Sequence, residues 1–150
     1  MHMIALIQRV SSARVEIDGR TGAEIGRGML VFLCVVKGDC ERDTEYIVRK
    51  VSQLRIFDDA DGRMNLSIKD ISGDILVVSQ FTLAADAKKG NRPSFDRAES
   101  PDRAEGYYES FIRRLGDLGL KVHSGVFGAS MKVSLVNNGP VTIYLDSREG

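Results

Sequence analysis

Met29-Leu30-Val31-Phe32-Leu33-Cys34-Val35-Val36 is an unbroken apolar run of eight residues. That is strand length, far below the roughly 20 residues needed to cross a membrane as a helix. Without polar alternation it reads as a strand buried on both faces. Gly26 and Gly28 punctuate the turn before it. Further upstream, Ile4 to Ile17 reads as extended chain, in which Ala13, Val15 and Ile17 share one face before Asp18-Gly19 turns it. Downstream, Asp39 is placed to cap a helix running to about Leu54, with Ile47, Val48, Val51 and Leu54 on one side. Asp58-Asp59-Ala60-Asp61-Gly62 then makes a turn, and Ile75-Leu76-Val77-Val78 is a second apolar run.

The second helix carries the clearest punctuation: Ser100 as N-cap, Pro101 at the first helical position, Asp102 and Glu105 near the positive first turn, and Gly119 past the end. Its apolar face is Ala104, Tyr108, Phe111, Ile112, Leu115 and Leu118, so Tyr107 and Tyr108 read as packing residues. Three strands are expected to close the chain, at Lys121 to Gly125, Met131 to Val136 and Val141 to Asp146. This order predicts a single α/β (α+β) domain: a mixed, mostly antiparallel β-sheet curled toward a barrel, with two outer helices. The domain is expected to span residues 3–150, with Met1-His2 read as a cloning remnant because the patterned sequence begins at Ile4.

At 150 residues and 43% apolar, the chain is long enough to bury about two thirds of its unfolded surface without disulfides. Cys34 lies inside the apolar run and Cys40 in a polar turn, with no CxxC spacing and no nearby histidine. Two reduced, non-catalytic thiols in a cytoplasmic protein are the expectation, with no signal peptide. The 21 basic and 21 acidic residues sum to zero, which argues against a protein that coats nucleic acid through a large positive field. A local patch is compatible with that sum: Lys88, Lys89 and Arg92 crowd a glycine-containing loop, with Arg97 and Arg103 following. On the residues alone this is either a solvated loop or a contact for phosphates.

Familiar catalytic constellations are missing. Only His123 lies outside the first two residues, in a strand-like alternation that suits a surface or rim position, and no GxSxG elbow presents a serine. Gly26-Arg27-Gly28 lacks the third glycine of a dinucleotide fingerprint. Asp59-Ala60-Asp61-Gly62 resembles the middle of a calcium loop, but Phe57 and Ile68 stand at the first and twelfth ligand positions. Neither a metal site nor a cofactor is expected.

Two segments remain: Ser79-Gln80-Phe81-Thr82-Leu83, and Asn137-Asn138-Gly139-Pro140-Val141-Thr142. Each lies where a buried strand hands over to exposed polar backbone, where sites are commonly built. Neither holds a strong acid, base or metal ligand, so chemistry there must lean on backbone groups, a hydroxyl, an amide or the substrate.

At these segments the chain resembles the D-aminoacyl-tRNA deacylases of the bacterial and eukaryotic type, the D-tyrosyl-tRNA(Tyr) deacylase family. The likeness runs from Met3 through about Leu145. It includes Ala5-Leu6-Ile7-Gln8-Arg9-Val10, Ser79-Gln80-Phe81-Thr82-Leu83-Ala84 and Arg92-Pro93-Ser94-Phe95. Ser100-Pro101-Asp102-Arg103-Ala104 and Ser134-Leu135-Val136-Asn137-Asn138-Gly139-Pro140-Val141-Thr142 complete it. The resemblance implies a carboxylic ester hydrolase that frees D-amino acids from the 3′ end of tRNA. It implies a homodimer whose partners are aminoacyl-tRNA 3′ ends, with no membrane and no DNA partner. In that arrangement Gly139-Pro140, its peptide bond cis, projects from one subunit into the pocket of the other, where Ser79, Gln80, Phe81 and Thr82 lie. The pattern further implies that Arg9 and Asn137 belong to the Gly-Pro filter and that Phe127 and Met131 form a terminal-adenine pocket. As bare sequence features, Arg9 also suits a surface position, and Phe127 and Met131 suit a core.

An aminoacyl ester is already activated, so an enzyme for it must orient water and stabilise an oxyanion more than it must supply a strong nucleophile. Backbone N–H groups around Phe81 and Thr82 suit that task. The Thr82 hydroxyl invites a covalent reading, yet without an adjacent base it is inert near neutral pH. Positioning by Thr82, with the ribose 2′-hydroxyl helping to activate water, is the preferred expectation. A non-catalytic tRNA-end binding module and a structural homo-oligomer are the other classes the sequence leaves open.

Overall fold

The computed structural model describes residues 1–149. β1 (Ile4–Ile17) is the spine, β2 (Arg20–Ile25) turns back on its second half, and β3 (Gly28–Cys34) pairs antiparallel with its first half. After α1 (Glu41–Gln53), a small hairpin of β4 (Phe57–Asp58) and β5 (Met64–Leu66) stands apart from the main sheet. β6 (Asp74–Ser79) lies parallel to β3 and runs into a 3-10 turn, Phe81–Ala84. α2 (Pro101–Asp117) leads to β7 (Lys121–Ser124), parallel to β6, and β8 (Lys132–Asp146) returns along the whole of β1. The order is β2-β1-β3-β6-β7, with β8 on the other edge of β1: a mixed sheet, antiparallel around β1 and parallel around β6.

β3 and β6 bury both faces, as their unbroken apolar runs require. Met29, Val31, Leu33, Ile75 and Val77 pack with Ile47, Val51, Tyr108, Phe111 and Leu115 of the helices. Leu30, Leu76 and Val78 face the opposite way, into a second cluster with Val10, Ala13, Val15 and Ile25 that fills the inside of the curled sheet. β1 serves both clusters because its side chains change sides partway. Ala5 and Ile7 belong to the helix-covered core, whereas Ala13 and Val15, of the same parity, belong to the inner one. The pairing explains this: Val10 meets Asn137 and Ser12 meets Val136, so Ser11 is one residue extra, a bulge that exchanges inward and outward faces.

Tyr107 and Tyr108 act as packing residues with polar tips. The Tyr108 hydroxyl donates to the carbonyl of Val77 or Gly125, at 3.1 and 3.2 Å, and Tyr107 donates to the Asp39 carbonyl at 3.2 Å. α2 thereby spans from β6 to the start of α1.

Three expectations need correction. Cys40, not Asp39, stands at the N-cap of α1; Asp43 accepts the Cys40 N–H at 2.9 Å. Asp39 instead turns back to accept the Val36 N–H at 2.8 Å and is buried. Leu118 ends α2 but is 46% exposed, because the helix closes at Asp117 and Gly119 takes a left-handed φ of +84°. The two final strands are one. β8 continues through Asn137–Val141, since β1 is long enough to pair with both halves and the extra residues bulge outward.

Two outcomes test this packing. Gly28 lies opposite Asp74, where an added Cβ would fall inside the Asp74 carbonyl. Gly28→Ala is expected to cost about 3 kcal/mol in urea unfolding, because backbone rather than a side chain must move. Burial pushes Asp39 up from 3.8 to about 6. Its folded form favours the proton, so stability is full below about pH 4 and falls as pH rises through about 6. Asp39→Asn keeps an oxygen for Val36 N–H and is expected to match the parent near pH 4 and exceed it near pH 7.

Candidate active site

β6 ends by delivering Ser79 and Gln80 to the lip of a cleft of about 670 Å³. Gln80 N–H donates to the Leu33 carbonyl at 2.8 Å, the last bond of the β3–β6 ladder, and the chain then leaves the sheet. Within the 3-10 turn the Leu83 N–H returns to Gln80 and the Ala85 N–H to Thr82. Among the described residues neither the Phe81 nor the Thr82 N–H has a backbone partner outside that turn. Both are the orphan donors that open any helical turn. The Gln80 side-chain amide is hydrogen-bonded to the Thr82 hydroxyl, so the hydroxyl's neighbour is an amide and not a base.

The rest of the cleft wall comes from distant segments. Val35 and Lys37 follow β3; Phe95, Ala98, Glu99 and Ser100 precede α2; Phe127 and Met131 precede β8, and Val133 lies at its start. An isolated bridge between Val36 and Ala98 joins the first two. Phe127 is backed by the Tyr108 ring, 5.7 Å between centroids, and Met131 occupies space left by Gly125, where a Cβ would lie 2.7 Å from its sulfur. At the rim Phe81, 56% exposed, meets Phe95 edge to face at 5.2 Å. The result is an aromatic and thioether cleft with exposed backbone donors at one lip.

Ser79, Gln80, Phe81, Phe127 and Met131 thus line one cavity. Thr82 lies beside it and is exposed. Arg9, Asn137, Gly139 and Pro140 are not among its lining residues and form a second cluster. There β8 makes its excursion: Gln8 pairs with Thr142 and Val10 with Asn137, so two steps of β1 face five steps of β8. Gly139-Pro140 is cis, with a Gly139 φ of +132°, and both residues are exposed. Asn137 spans the base of the excursion, its Oδ1 accepting the Val141 N–H and its Nδ2 donating to Thr142 Oγ1, both at 3.1 Å. Arg9 is buried beneath. Its Nε donates to the Asn138 carbonyl at 2.9 Å, and its Nη1 to the Ile56 carbonyl at 2.8 Å and Asp58 Oδ1 at 3.2 Å. A planar guanidinium can satisfy three acceptors from three directions.

Of the titratable groups, Lys37 and Glu99 stand in the cleft wall, where the Ser100 N–H, donating at 2.8 Å, holds the Glu99 carboxyl below its usual range, and the Cys34 thiol lies behind the lip, 3.6 Å from the Phe81 carbonyl. Burial raises the Cys34 thiol to about 11, which leaves it protonated and inert near neutral pH. His123 is exposed on β7, its Nε2 4.0 Å from Asp74 Oδ2. The cleft residues that sequence reading missed, Val35, Lys37, Ala98 and Glu99, carry no local signal; only the Val36–Ala98 bridge brings them together.

The cleft thus combines largely apolar walls, two charged side chains, Lys37 and Glu99, and free backbone donors at its lip, an arrangement suited to receiving negative charge from an activated substrate. The D-Tyr-tRNA(Tyr) deacylase sequence model matches residues 6–146, and the chain belongs to that family. It is 56% identical over 146 residues to the D-aminoacyl-tRNA deacylase of Thermodesulfovibrio yellowstonii, covering 97% of this chain and 100% of that protein. The Thermotoga petrophila D-aminoacyl-tRNA deacylase is 55% identical over 145 residues, 97% of each chain. Among solved structures, a c-Myc DNA unwinding element binding protein superposes with a TM-score of 0.90 at 41% identity, over 95% of this chain and 97% of that one. A probable eukaryotic D-amino acid tRNA deacylase has a TM-score of 0.83 at 17% identity over 97% and 99%, a likeness of fold. Among the described residues no helix is long and apolar enough to cross a membrane.

Arg9→Lys tests the support of the excursion. One ammonium cannot replace the fork, so a loss of about 1–3 kcal/mol is expected. Amide exchange at Val141, whose N–H is held by Asn137, should quicken more than exchange in β3.

Proposed function

We propose that this chain hydrolyses the ester of D-aminoacyl-tRNA to free D-amino acid and tRNA. The observation that carries the reading is the shared cleft of Ser79, Gln80, Phe81, Phe127 and Met131, in a chain of this family. The terminal adenine packs on Phe127 and Met131, whose ring and polarisable sulfur suit a base. Its ribose then carries the ester toward the lip, where the Phe81 and Thr82 N–H groups receive the developing oxyanion. Donors already aimed at that charge need no reorganisation during the reaction. Thr82, bonded to an amide, positions the substrate, and the neighbouring ribose 2′-hydroxyl assists the attacking water.

A second copy of the chain completes the site. The cleft does not contain the Gly139-Pro140 of its own chain, and that pair stands exposed on an excursion braced by Arg9 and Asn137. β8 pairs only with β1 among the described residues, so its other edge is open, with Val136 and Tyr144 more than half exposed on the strand. An open edge of that length favours association. In the dimer the Gly139 and Pro140 carbonyls hold the substrate ammonium, a D side chain points to solvent, and an L side chain meets backbone. A thousandfold preference needs about 4 kcal/mol between transition states, which an unrelievable clash supplies. Glycine has nothing to clash, so glycyl-tRNA is a second substrate.

Hydrolysis of D-tyrosyl-, L-tyrosyl- and glycyl-tRNA, measured side by side, checks this reading. Rapid loss of the D and glycyl esters with the L ester intact is expected. Loss of both tyrosyl esters would remove the filter, and loss of neither would leave a binding module. Thr82→Ala is expected to lower the rate by about tenfold; a fall of several orders of magnitude would mean a covalent role.

A further inference from the structure

The exposed loop of residues 87–93 holds Lys88, Lys89 and Arg92 and no acid. It is built on a firm base. Asp86 and Ser94 exchange backbone hydrogen bonds of 2.7 and 2.8 Å, and Asp86 Oδ1 accepts the Lys88 N–H at 3.0 Å. Arg97 Nη2 donates to the Ala85 carbonyl at 3.1 Å, tying the far side of the loop to the 3-10 turn. Phe95, one residue beyond the Asp86–Ser94 bridge, packs on Phe81, and both rings line the cleft. The loop therefore rises from the cleft rim. Lys37 stands in the cleft wall itself. Among the described residues none of these four cations takes part in an ion pair.

Resting on the function proposed above, we propose that Lys88, Lys89 and Arg92 form a phosphate-contact site for the RNA strand that leaves the cleft. The chain's charges sum to zero, so no global field gathers RNA. A local cluster acts over about 8–10 Å at physiological salt, which confines it to phosphates joined closely to the nucleotide in the cleft. The loop thus lets the enzyme distinguish an ester on a polynucleotide from the same ester on a nucleoside. It adds no base readout, because lysine and arginine at phosphates position without reading sequence.

The test compares D-tyrosyl-tRNA with D-tyrosyl-adenosine, which has the ester but no phosphate. In a Lys88→Ala/Lys89→Ala/Arg92→Ala variant, kcat/KM for the tRNA ester is expected to fall about tenfold or more at low salt, chiefly through KM. The slope of its logarithm against log salt should shrink by about 2, at about 0.7 per single-strand phosphate. Hydrolysis of the adenosine ester is expected to stay unchanged, and Lys88→Arg/Lys89→Arg to keep the tRNA rate. An equal fall on both esters, or no fall on either, overturns the site. If the parent enzyme cleaves neither ester, the functional reading falls while the loop is still judged: salt-dependent binding of uncharged tRNA must weaken in the triple variant, and equal binding overturns it.

Discussion

Parallel pairing of two strands that are apolar on both faces is the constraint from which the molecule follows. β3 and β6 cannot leave either face in water, so the sheet must be covered by helices on one side and by itself on the other. Self-covering means curling. The bulge at Ser11 makes that possible by letting β1 feed its first half to the helical core and its second half to the inner one. The glycine at position 28 allows the two central strands to begin their pairing without a side chain in the way.

The same pairing decides where a site can form. β6 is buried from Ile75 to Val78 and leaves the sheet at Ser79, and the next backbone donors have no strand to bond. Around this exit gather the segments that enter and leave α2 and the approach to β8, so an apolar cavity forms against free N–H groups. At the lip the electrostatics are those of oriented dipoles, while the ionised side chains, Lys37 and Glu99, stand in the wall. That suits an activated ester, for which charge must be received rather than generated.

A different solution holds the Gly139-Pro140 excursion. Here a buried charge does the bracing: Arg9, 8% exposed, is satisfied by carbonyls of Asn138 and Ile56 and by the Asp58 carboxylate, which belong to segments far apart in the chain. The guanidinium cannot leave without stranding those acceptors. The excursion is thus exposed at its tip yet held at its root, a geometry suited to presenting rigid backbone to another surface.

Read alone, the residues determined the elements. The doubly apolar run at Met29–Val36, the Ser100-Pro101 start of α2 and the turn at Asp58–Gly62 each carry a local physical signature, and the order of elements implied the curled mixed sheet. The hand-over after Val78 and the Asn137–Thr142 segment were legible as sites because apolar pattern gives way abruptly to polar backbone. Misreadings arose where a local signal had two outlets. Asp39 is as good a cap as Cys40 is poor, but its carboxylate was drawn inward to Val36, and Asn-Asn-Gly-Pro reads as a break between strands although β1 is long enough to pair on both sides of it. Only the tertiary structure decided that Arg9 is buried rather than exposed, that Phe127 and Met131 face the same cavity as Ser79 and Gln80, and that the Gly-Pro excursion lies apart from that cavity within one chain. Those are relations between segments dozens of residues apart, set by strand register and by which faces must be covered, and no local pattern encodes them.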